Sequence, residues 1–250
     1  MTLSQSYQLS RIITMVKQLY HIDSYLKDFE AVIENVLPEG IVLDQTAFYP
    51  GGGGQPCDYG VLIYNEKEYK VDKVQYAEGT IVHKVLSEGL KIGDTINATI
   101  DWDRRYKLMR THTALHILCG VVWRDFGALV TGGNMEPLKA RMDFELESMS
   151  TDFAERVEEK INEEVANDHK IDINILPREE ALKIPDLIRT KIDLLPKHIS
   201  ELRIVDIKSL DLQADGGTHV ISTKEVGHIS VVGHESKGKI NKRLRIQIED

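Results

Sequence analysis

The sequence predicts an α+β protein in which a small N-terminal β-barrel precedes a two-layer α+β domain. Several short segments separated by turn residues fill 26–100, which is typical of a small barrel or sandwich. From Asp101 onwards the pattern changes to long amphipathic helices interspersed with strands. We therefore divide the chain into an extension (1–18), a β-barrel domain (19–100) and a second domain (101–250).

The first domain is predicted to consist of strands joined by turns. Residues 1–14 carry no strong pattern, and Met15 is an alternative start of the chain. Turn residues such as Pro38-Glu39-Gly40 separate segments that are apolar or loosely alternating, as expected for short strands. The predicted strands are 29–37, 41–43, 61–64, 69–74, 80–85 and 95–100.

The second domain is predicted to contain two long helices. Apolar residues at helical spacing predict the first over 103–126, with Asp101 or Asp103 as its cap and Gly127 or Gly132-Gly133 at its end. The second is predicted over 150–168, with Ser150 or Thr151 as its cap. A short helix lies within 177–187, and the predicted strands are 141–146, 171–176, 202–207, 228–234 and 243–248.

Composition limits the partners of the chain. A formal net charge of −9 argues against indiscriminate binding to nucleic acid, whereas basic stretches at 104–110 and 237–245 suit a specific polyanion. Ordinary solvated faces explain these stretches equally well. The sequence has no apolar run of about 18 residues, so no membrane span is predicted. Two cysteines and no signal peptide predict a cytoplasmic protein.

Two short histidine motifs predict a metal site. His112 and His116 are four residues apart, so a helix presents both imidazoles on one face. Asp215 and His219 flank a Gly-Gly turn that lets their side chains converge. The two pairs together offer four ligands to one zinc ion per chain, or three ligands and a water, with Asp215 alternatively orienting His219. Cys119 is interpreted as a buried free cysteine.

The type of metal site is limited by the residue that follows the first histidine. A metalloprotease helix carries a glutamate there as general base, whereas this chain carries Thr113. The pattern therefore argues against peptidase chemistry of that type.

A third motif contains four successive glycines, Gly51 to Gly54, followed by Gln55. Such a loop exposes backbone groups and lets a ligand or another segment approach closely. Because no Gly-Lys-Ser/Thr follows, the loop is not a phosphate-binding P-loop. Taken alone, it reads as a wide turn between two strands.

Three motifs now stand in order: Phe48-Tyr49-Pro50-Gly-Gly-Gly-Gly-Gln55-Pro56, His112-Thr-Ala-Leu-His116 and Gly216-Gly217-Thr218-His219-Val220. From about residue 19 to 250 the chain resembles the editing half of alanyl-tRNA synthetase, and more closely the free-standing alanyl-tRNA editing proteins of the AlaX type. The resemblance implies hydrolysis in trans of mischarged tRNA(Ala), mainly the seryl form and in some members the glycyl form. It also implies a barrel like that of translation factors, followed by a zinc-bearing editing domain.

The resemblance also implies roles for individual residues. Zinc would be held by His112, His116 and His219, whereas the family commonly has a cysteine at the position of Asp215, so the fourth ligand is open. The glycine-rich loop would lie against the editing pocket. The residues implied in substrate binding are Thr46, Gly53, Gly54 and Gln55. Those implied in contacts with tRNA phosphates are Lys237, Lys239, Lys242 and Arg243.

Editing follows a simple physical logic. A synthetic site cannot reject serine strongly, whereas a hydrolytic site that hydrogen-bonds the serine hydroxyl can reject alanine. Thr46 could provide that bond, or it could be an ordinary strand threonine. No side chain stands out as a general base. A zinc-bound water is one candidate, and Asp215 and His228 are others.

Two other functions fit the same motifs. A closed four-ligand zinc would make the chain a non-catalytic tRNA- or protein-binding module. An editing enzyme for tRNA(Thr) is the third reading. The expected partner is mischarged tRNA(Ala) without a membrane, and the oligomeric state is open between monomer and homodimer.

Overall fold

The chain before Asp101 is built mainly of strands. The structure is a computed structural model that describes residues 16–77, 79–86, 88–190 and 199–250. A 3₁₀ turn, Leu19–His21, follows the first strand. The strands are β1 (Lys17–Gln18), β2 (Asp28–Leu37), β3 (Gly40–Leu43), β4 (Gln45–Thr46), β5 (Gly60–Tyr64), β6 (Lys67–Val71), β7 (Lys73–Ala77), β8 (Thr80–Lys84) and β9 (Thr95–Ile100).

Seven of these strands form one curved antiparallel sheet in the order β6-β5-β9-β2-β3-β8-β7. Strand β2 pairs with β9 through its first half and with β3 through its second half, and the register shifts between Ile33 and Asn35. Such a bulge bends a strand and increases its twist, so β2 can serve both sides of the sheet. The short strands β1 and β4 form a separate parallel pair.

The predicted barrel is not closed. Among the described residues β6 and β7 are the two edges of the sheet, and no strand pairing joins them. Only Asp72 connects edge strand β6 to edge strand β7. Because one residue spans only a short distance, the sheet must be strongly curved so that its two edges come close together. The prediction of a single strand over 69–74 is wrong, because Asp72 separates the end of β6 from the start of β7.

The chain after Asp101 combines helices with two antiparallel sheets. Four strands pair in the order β10-β11-β16-β15, and three pair in the order β12-β13-β14. The elements are α1 (Trp102–Phe126), β10 (Val130–Glu136), β11 (Lys139–Glu145), α2 (Thr151–Ala166), β12 (Ile171–Pro177), α3 (Arg178–Ala181), β13 (Glu201–Ile207), β14 (Asp211–Ala214), a 3₁₀ turn (Thr223–Val226), β15 (Ile229–Ser236) and β16 (Asn241–Ile248). The predicted α+β class is confirmed.

Helix α1 is central to this second part. The Asp101 carboxylate accepts a hydrogen bond from the backbone N–H of Arg104, and Gly127 ends the helix in the left-handed conformation at φ 63°. The helix is buried on nearly every side between Leu108 and Val122, so it packs as a core element. Helix α2 is amphipathic, and its N-cap is Ser150, one of the two candidates that the sequence offered.

The described residues form two large apolar cores. One is built from residues 16–100 inside the curved sheet, and the other from residues 108–248 around α1, α2 and the four-stranded sheet. The proposed boundary at residue 100 falls between them, although the division into domains stays a prediction. In the described part of the chain, no helix has the length and apolar character needed to cross a membrane.

Some predicted boundaries differ from the structure. Gly132-Gly133 lies inside strand β10, which the sequence did not predict, and Gly127 alone ends the helix. Strand β14 was also not predicted, although it leads directly into Asp215. Met15 and the first fifteen residues of the predicted extension lie outside the described residues.

Candidate metal centre and its supporting contacts

Helix α1 buries both histidines of the first motif. His112 and His116 are 4% and 6% exposed, and their ring centroids are 5.2 Å apart. The four-residue spacing places them one turn apart on the same face. This face of α1 points to the segment that follows β14, where the second motif lies.

The second motif forms a tight turn. The Asp215 carboxylate accepts a hydrogen bond from the Gly217 N–H at 2.7 Å, and its Oδ1 lies 3.2 Å from His219 Nε2. Gly217 must be glycine, because a Cβ there would lie 2.3 Å from His112 Cε1. The absence of a side chain therefore lets the turn pack directly on an imidazole of α1.

The four predicted ligands form one cluster. One ligand atom from each of the four side chains lies within 4.8 Å of the others. The ring of His219 stacks on His112 at 4.3 Å between centroids and meets His116 at 4.7 Å. The cluster comprises His112, His116, Asp215 and His219.

The outer nitrogens of the histidines are fixed by neighbouring side chains. His112 Nδ1 donates to Gln55 Oε1 at 2.9 Å, and His116 Nδ1 donates to Asp211 Oδ2 at 2.9 Å. His219 Nδ1 lies 3.1 Å from Thr113 Oγ1. Protonation of the outer nitrogen leaves a lone pair on Nε2, which is the state that a metal ligand requires.

Burial and mutual charge control protonation in the cluster. Burial lowers the pKa of His112 to about 4, and burial together with neighbouring His112 lowers that of His219 well below its usual range. Burial is the largest influence on His116 and opposes its charged form, but the hydrogen bond to Asp211 and the negative charges of Asp211 and Asp215 together outweigh it and raise the pKa. Although burial opposes ionisation of Asp215, the surrounding histidines hold its pKa well below the usual range.

The glycine-rich loop lies against this cluster. Gln55 Oε1 accepts both from His112 and, at 3.1 Å, from the Thr218 N–H, and Gln55 Nε2 donates to Thr218 Oγ1. A Cβ on Gly53 would lie 3.8 Å from Asp215 Oδ2. The carbonyl of Gly54 accepts from the Met135 N–H of strand β10 at 3.3 Å. The first half of the chain thus supplies one wall of the centre.

Two further side chains hold the centre in place, and the sequence analysis missed both. Asp211 is 3% exposed and pairs with Arg189 Nη1 at 2.9 Å while it orients His116. Arg203 Nη1 donates to the carbonyl of Asp215, and its Nε donates to the carbonyl of His21. Strand alternation signals Arg203, because it shares a face of β13 with the fully buried Val205.

Other predicted residues lie apart from the cluster. Thr46 is fully buried in β4, where its hydroxyl accepts from the Phe48 N–H and lies 2.8 Å from His83 Nε2. Cys119 is a buried free cysteine, as the sequence predicted, and burial raises the pKa of its thiol. His228 lies beside α2 and belongs to neither histidine motif.

The four basic residues near the C-terminus differ in their surroundings. Lys237 and Lys239 are exposed. Lys242 is only 5% exposed, and its ammonium donates to the carbonyls of Gly238 and Lys239. Arg243 makes two hydrogen bonds to Asp143 across the strand pair β11–β16. The last two cations are therefore already engaged within the protein: Lys242 holds the turn before β16, and Arg243 joins β16 to β11.

The donor set fits a zinc ion. Three imidazoles and one carboxylate are ligands that zinc accepts, and the described residues bring their atoms together in a largely buried cluster with oriented rings. Asp211 and Gln55 supply the hydrogen bonds that typically orient metal-binding histidines.

Comparison with known proteins identifies the family. The model described as "tRNA synthetases class II (A)" matches residues 3–104, and that described as "Threonyl and Alanyl tRNA synthetase second additional domain" matches residues 202–245. Alanine–tRNA ligase of Pyrococcus abyssi is 39% identical over 92% of this chain, which spans 25% of that enzyme.

Shorter relatives match over nearly their whole length. The alanyl-tRNA editing protein AlaX-M of Saccharolobus solfataricus is 44% identical over 92% of this chain and 98% of its own. That of Methanosarcina mazei is 38% identical over 94% of this chain and 98% of its own. The chain therefore belongs to the family of alanyl-tRNA editing proteins of the AlaX-M type.

Proposed function

We propose that the protein is a trans-editing hydrolase that removes the wrong amino acid from mischarged tRNA(Ala). The single observation that carries this proposal is the buried cluster of three histidines and Asp215, walled by the glycine-rich loop. Relatives named alanyl-tRNA editing proteins support the substrate class. The reaction is hydrolysis of the ester that joins the amino acid to the terminal ribose.

The proposed cofactor is one zinc ion per chain, held by His112, His116, His219 and Asp215. When bound, zinc would supply Lewis-acid polarisation of the ester carbonyl. The protein's own contribution is orientation: Gln55 and Asp211 fix two imidazoles by their Nδ1 atoms, and Arg203 fixes the backbone of Asp215. Asp215 is the fourth ligand in this proposal, in place of the family's cysteine.

Selection of the amino acid is proposed to depend on the loop side of the centre. Seryl-tRNA(Ala) is the proposed main substrate, and glycyl-tRNA(Ala) a second one. Gly53, Gly54 and Gln55 form the wall beside the cluster, which suits close approach of their backbone groups to the amino acid. Contact between Thr46 and the serine hydroxyl stays a prediction, and it requires the threonine hydroxyl to share the bond it makes with His83.

Binding of tRNA is proposed to use exposed cations. Lys237 and Lys239 are exposed, which suits contact with phosphates. For Lys242 and Arg243 the same role stays a prediction, because it competes with the bonds they make to the carbonyl of Gly238 and to Asp143. Location in the cytoplasm also stays a prediction.

Deacylation assays test the proposal directly. Protein with measured zinc content is mixed with seryl-tRNA(Ala) and, separately, with correctly charged alanyl-tRNA(Ala). We expect rapid loss of serine and retention of alanine, and a chelator should abolish the loss until zinc is restored. No hydrolysis by fully zinc-loaded protein would contradict the proposal.

Two controls separate the alternative functions. A His116→Ala chain that stays folded but loses hydrolysis supports a catalytic zinc, whereas a His116→Ala chain that unfolds supports a structural zinc. The family model that names threonyl-tRNA synthetase makes tRNA(Thr) the relevant competitor. Faster hydrolysis of seryl-tRNA(Thr) than of seryl-tRNA(Ala) would reassign the substrate.

A further inference from the structure

Two consecutive glycines, Gly132 and Gly133, interrupt the edge strand β10. Glycine weakens the interior of a strand, because it loses more conformational freedom on folding than any other residue and packs no side chain. Two glycines are therefore expected there only where a bulge, a close neighbour or a ligand requires them. A bulge provides such a reason for Gly132 but not for Gly133.

Gly132 lies at an irregularity of the strand. The pairing of β10 with β11 shifts register between Val130 and Gly132, which indicates a bulge. The other edge strand of the same sheet has the same feature, because β15 shifts register between Val231 and Gly233. A glycine directly after a bulge is therefore common to both edges of this sheet, and no ligand is needed to explain it.

Gly133 has no such local reason. It pairs in register with Met142 of β11, and its φ lies outside the left-handed region that favours glycine. Among the described residues, a Cβ on Gly133 would approach only the carbonyl oxygen of Arg141, at an ordinary 3.7 Å. At Gly217, in contrast, a Cβ would lie 2.3 Å from His112. The fold therefore has room for a side chain at position 133 and leaves it unfilled.

This room lies on the face of the sheet that the helices cover. Side chains alternate along a strand and cross-strand partners share a face, so position 133 lies on the same face as Met135 and Met142. Both methionines are buried in the core that contains α1, whereas Gly133 is exposed. Solvent therefore reaches a space above Gly133 within an otherwise buried layer. We call this space, between Met135 and Met142, the Gly133 gap.

Backbone groups at the gap are free to bind a ligand. The Met135 N–H points away from β11 and donates to the carbonyl of Gly54 in the glycine-rich loop at 3.3 Å. Hydrogen-bonding directions alternate along a strand, so the N–H and C=O of Gly133 also point towards the loop. In the described part of the chain, neither group has a backbone partner on that side. The gap thus combines free volume with one donor and one acceptor.

The glycine-rich loop connects the gap with the metal centre. A Cβ on Gly54 would lie 3.5 Å from the Gly133 carbonyl oxygen, and a Cβ on Gly53 would lie 3.8 Å from Asp215 Oδ2. Gly53 and Gly54 are consecutive, so their Cα atoms are about 3.8 Å apart. The gap and the ligand cluster therefore border the same short stretch of the loop, and a bound aminoacyl ester can extend from one to the other.

We propose that the Gly133 gap receives the side chain of the amino acid and so determines which ester is hydrolysed. The serine side chain is small, and its hydroxyl can bond to the free backbone groups of Gly133. The methyl group of alanine would fill the gap and leave these groups unpaired, whereas with glycine a water molecule can take the place of the hydroxyl. This inference rests on the proposed function and adds a residue that determines its specificity.

Deacylation of two esters tests the role of the gap. The zinc-loaded full chain and Gly133→Ala are compared on seryl-tRNA(Ala) and glycyl-tRNA(Ala), with kcat and KM measured for each. The added methyl group occupies the gap, so kcat/KM should fall at least about tenfold further for the seryl ester than for the glycyl ester. Thermal unfolding of the variant should give an equal or higher Tm, because alanine restricts the unfolded chain.

Two other glycines of the same sheet provide matched controls. Gly132→Ala points its methyl group to the opposite face, where it meets Asp143 Oδ2 at 3.6 Å. Gly233→Ala occupies the position after the bulge of β15, and its methyl group meets the Arg245 side chain at 3.6 Å. Both should keep the wild-type ratio of kcat/KM for the two esters. An unchanged ratio in Gly133→Ala, or the same change in Gly132→Ala, would overturn the inference.

Binding of stable analogues separates this inference from the proposed function. The probes are serine and glycine joined by an amide to 3′-amino-3′-deoxyadenosine, and calorimetry gives their Kd. Gly133→Ala should bind the seryl probe at least about tenfold more weakly than the wild type does, and the glycyl probe equally well.

This measurement decides the matter if the wild type hydrolyses neither ester or only the seryl ester. Equal binding of the seryl probe by both chains, or no binding by the wild type, then overturns the inference. A wild type that hydrolyses both esters while Gly133→Ala keeps their ratio overturns the inference alone. A wild type that binds the seryl probe through the gap but hydrolyses nothing overturns the proposed function alone.

Discussion

Replacing Gly217 by alanine tests whether the position of His112 determines metal binding. A Cβ at this position would lie 2.3 Å from Cε1 and 2.4 Å from Nδ1 of His112, and 2.7 Å from Gln55 Oε1. Ordinary contacts begin at 3.4 Å, so the imidazole or the turn must move by about 1 Å. Both obstacles are buried, which leaves no open direction for that movement.

The size of the effect follows from this displacement. Overpacking of a buried position costs about 1–3 kcal/mol, so the chain should still fold. A misplacement of about 1 Å at a reaction centre costs about 10²-fold in rate. Removal of the hydrogen bond that orients a ligand weakens metal affinity by about 10- to 100-fold. We therefore expect weaker zinc binding and much slower deacylation in a folded protein.

The neighbouring glycine provides a matched control. A Cβ on Gly216 would meet His21 Nε2 at 3.7 Å, which is an ordinary contact. Zinc affinity is measured by competition with a chromophoric chelator, deacylation with seryl-tRNA(Ala), and stability by thermal unfolding. Gly217→Ala should show reduced affinity and rate, and Gly216→Ala should keep both.

The reasoning is refuted by either of two results. If Gly217→Ala binds zinc with wild-type affinity, the contact between the turn and His112 does not control the centre. If Gly216→Ala shows the same reduction in affinity, any methyl group in the turn suffices and the specific collision is irrelevant.

Three further substitutions test other contacts. Asp211→Asn removes the carboxylate that orients His116, and equilibrium dialysis should show zinc affinity about 10- to 100-fold weaker. Arg105→Met leaves Asp58 buried without its cation, and urea unfolding should show a loss of about 3–5 kcal/mol. Burial lowers the pKa of His83 from 6.5 to about 4, so the unfolded chain binds the extra proton between these values. This histidine therefore leaves the free energy of unfolding unaffected above pH 6.5 and lowers it by up to about 3 kcal/mol as the pH falls towards 4. His83→Gln should lack this part of the pH dependence.

Each of these tests has its own contradicting outcome. Asp206→Asn, which touches the exposed Lys208, should leave zinc affinity unchanged, and a reduction equal to that of Asp211→Asn would contradict a specific role. Adding Asp58→Asn to Arg105→Met should recover part of the missing stability, because the buried charge is gone. Identical pH dependence of the wild type and His83→Gln would contradict the effect of burial on that histidine.

Features that depend on short-range spacing could be predicted from the sequence. The interval between His112 and His116 needs only a helix, and the turn from Asp215 to His219 needs only its glycines. The caps of α1 and α2 are similarly local, because Asp101 and Ser150 bond within three residues. Prediction of the metal cluster then needed one further assumption, that the two motifs lie next to each other in the fold.

Features that depend on long-range pairing could not be predicted. Asp211 orients a histidine 95 residues earlier, and a single acidic residue in a strand gives no sign of that partner. The ion pair between Arg243 and Asp143 could not be predicted either, because the two residues are 100 positions apart in the sequence. The predicted closed barrel would require hydrogen bonds between the edge strands β6 and β7, and the described strands do not make this pairing. The alternating sequences of these strands do not indicate which strands pair with each other.

The contacts of Gln55 make the glycine-rich loop and the metal centre one unit. Its amide bonds His112 of α1 and both the N–H and the hydroxyl of Thr218, so undocking the loop would leave buried polar groups of both motifs unpaired. Because His112 is oriented by this amide, a metal ion that prefers the oriented imidazole also prefers the docked loop. Linkage is reciprocal: a substrate that holds the loop in place must strengthen metal binding, and it does so by the same factor by which the metal strengthens substrate binding. The curved sheet is therefore part of the site, since it carries the loop that completes it.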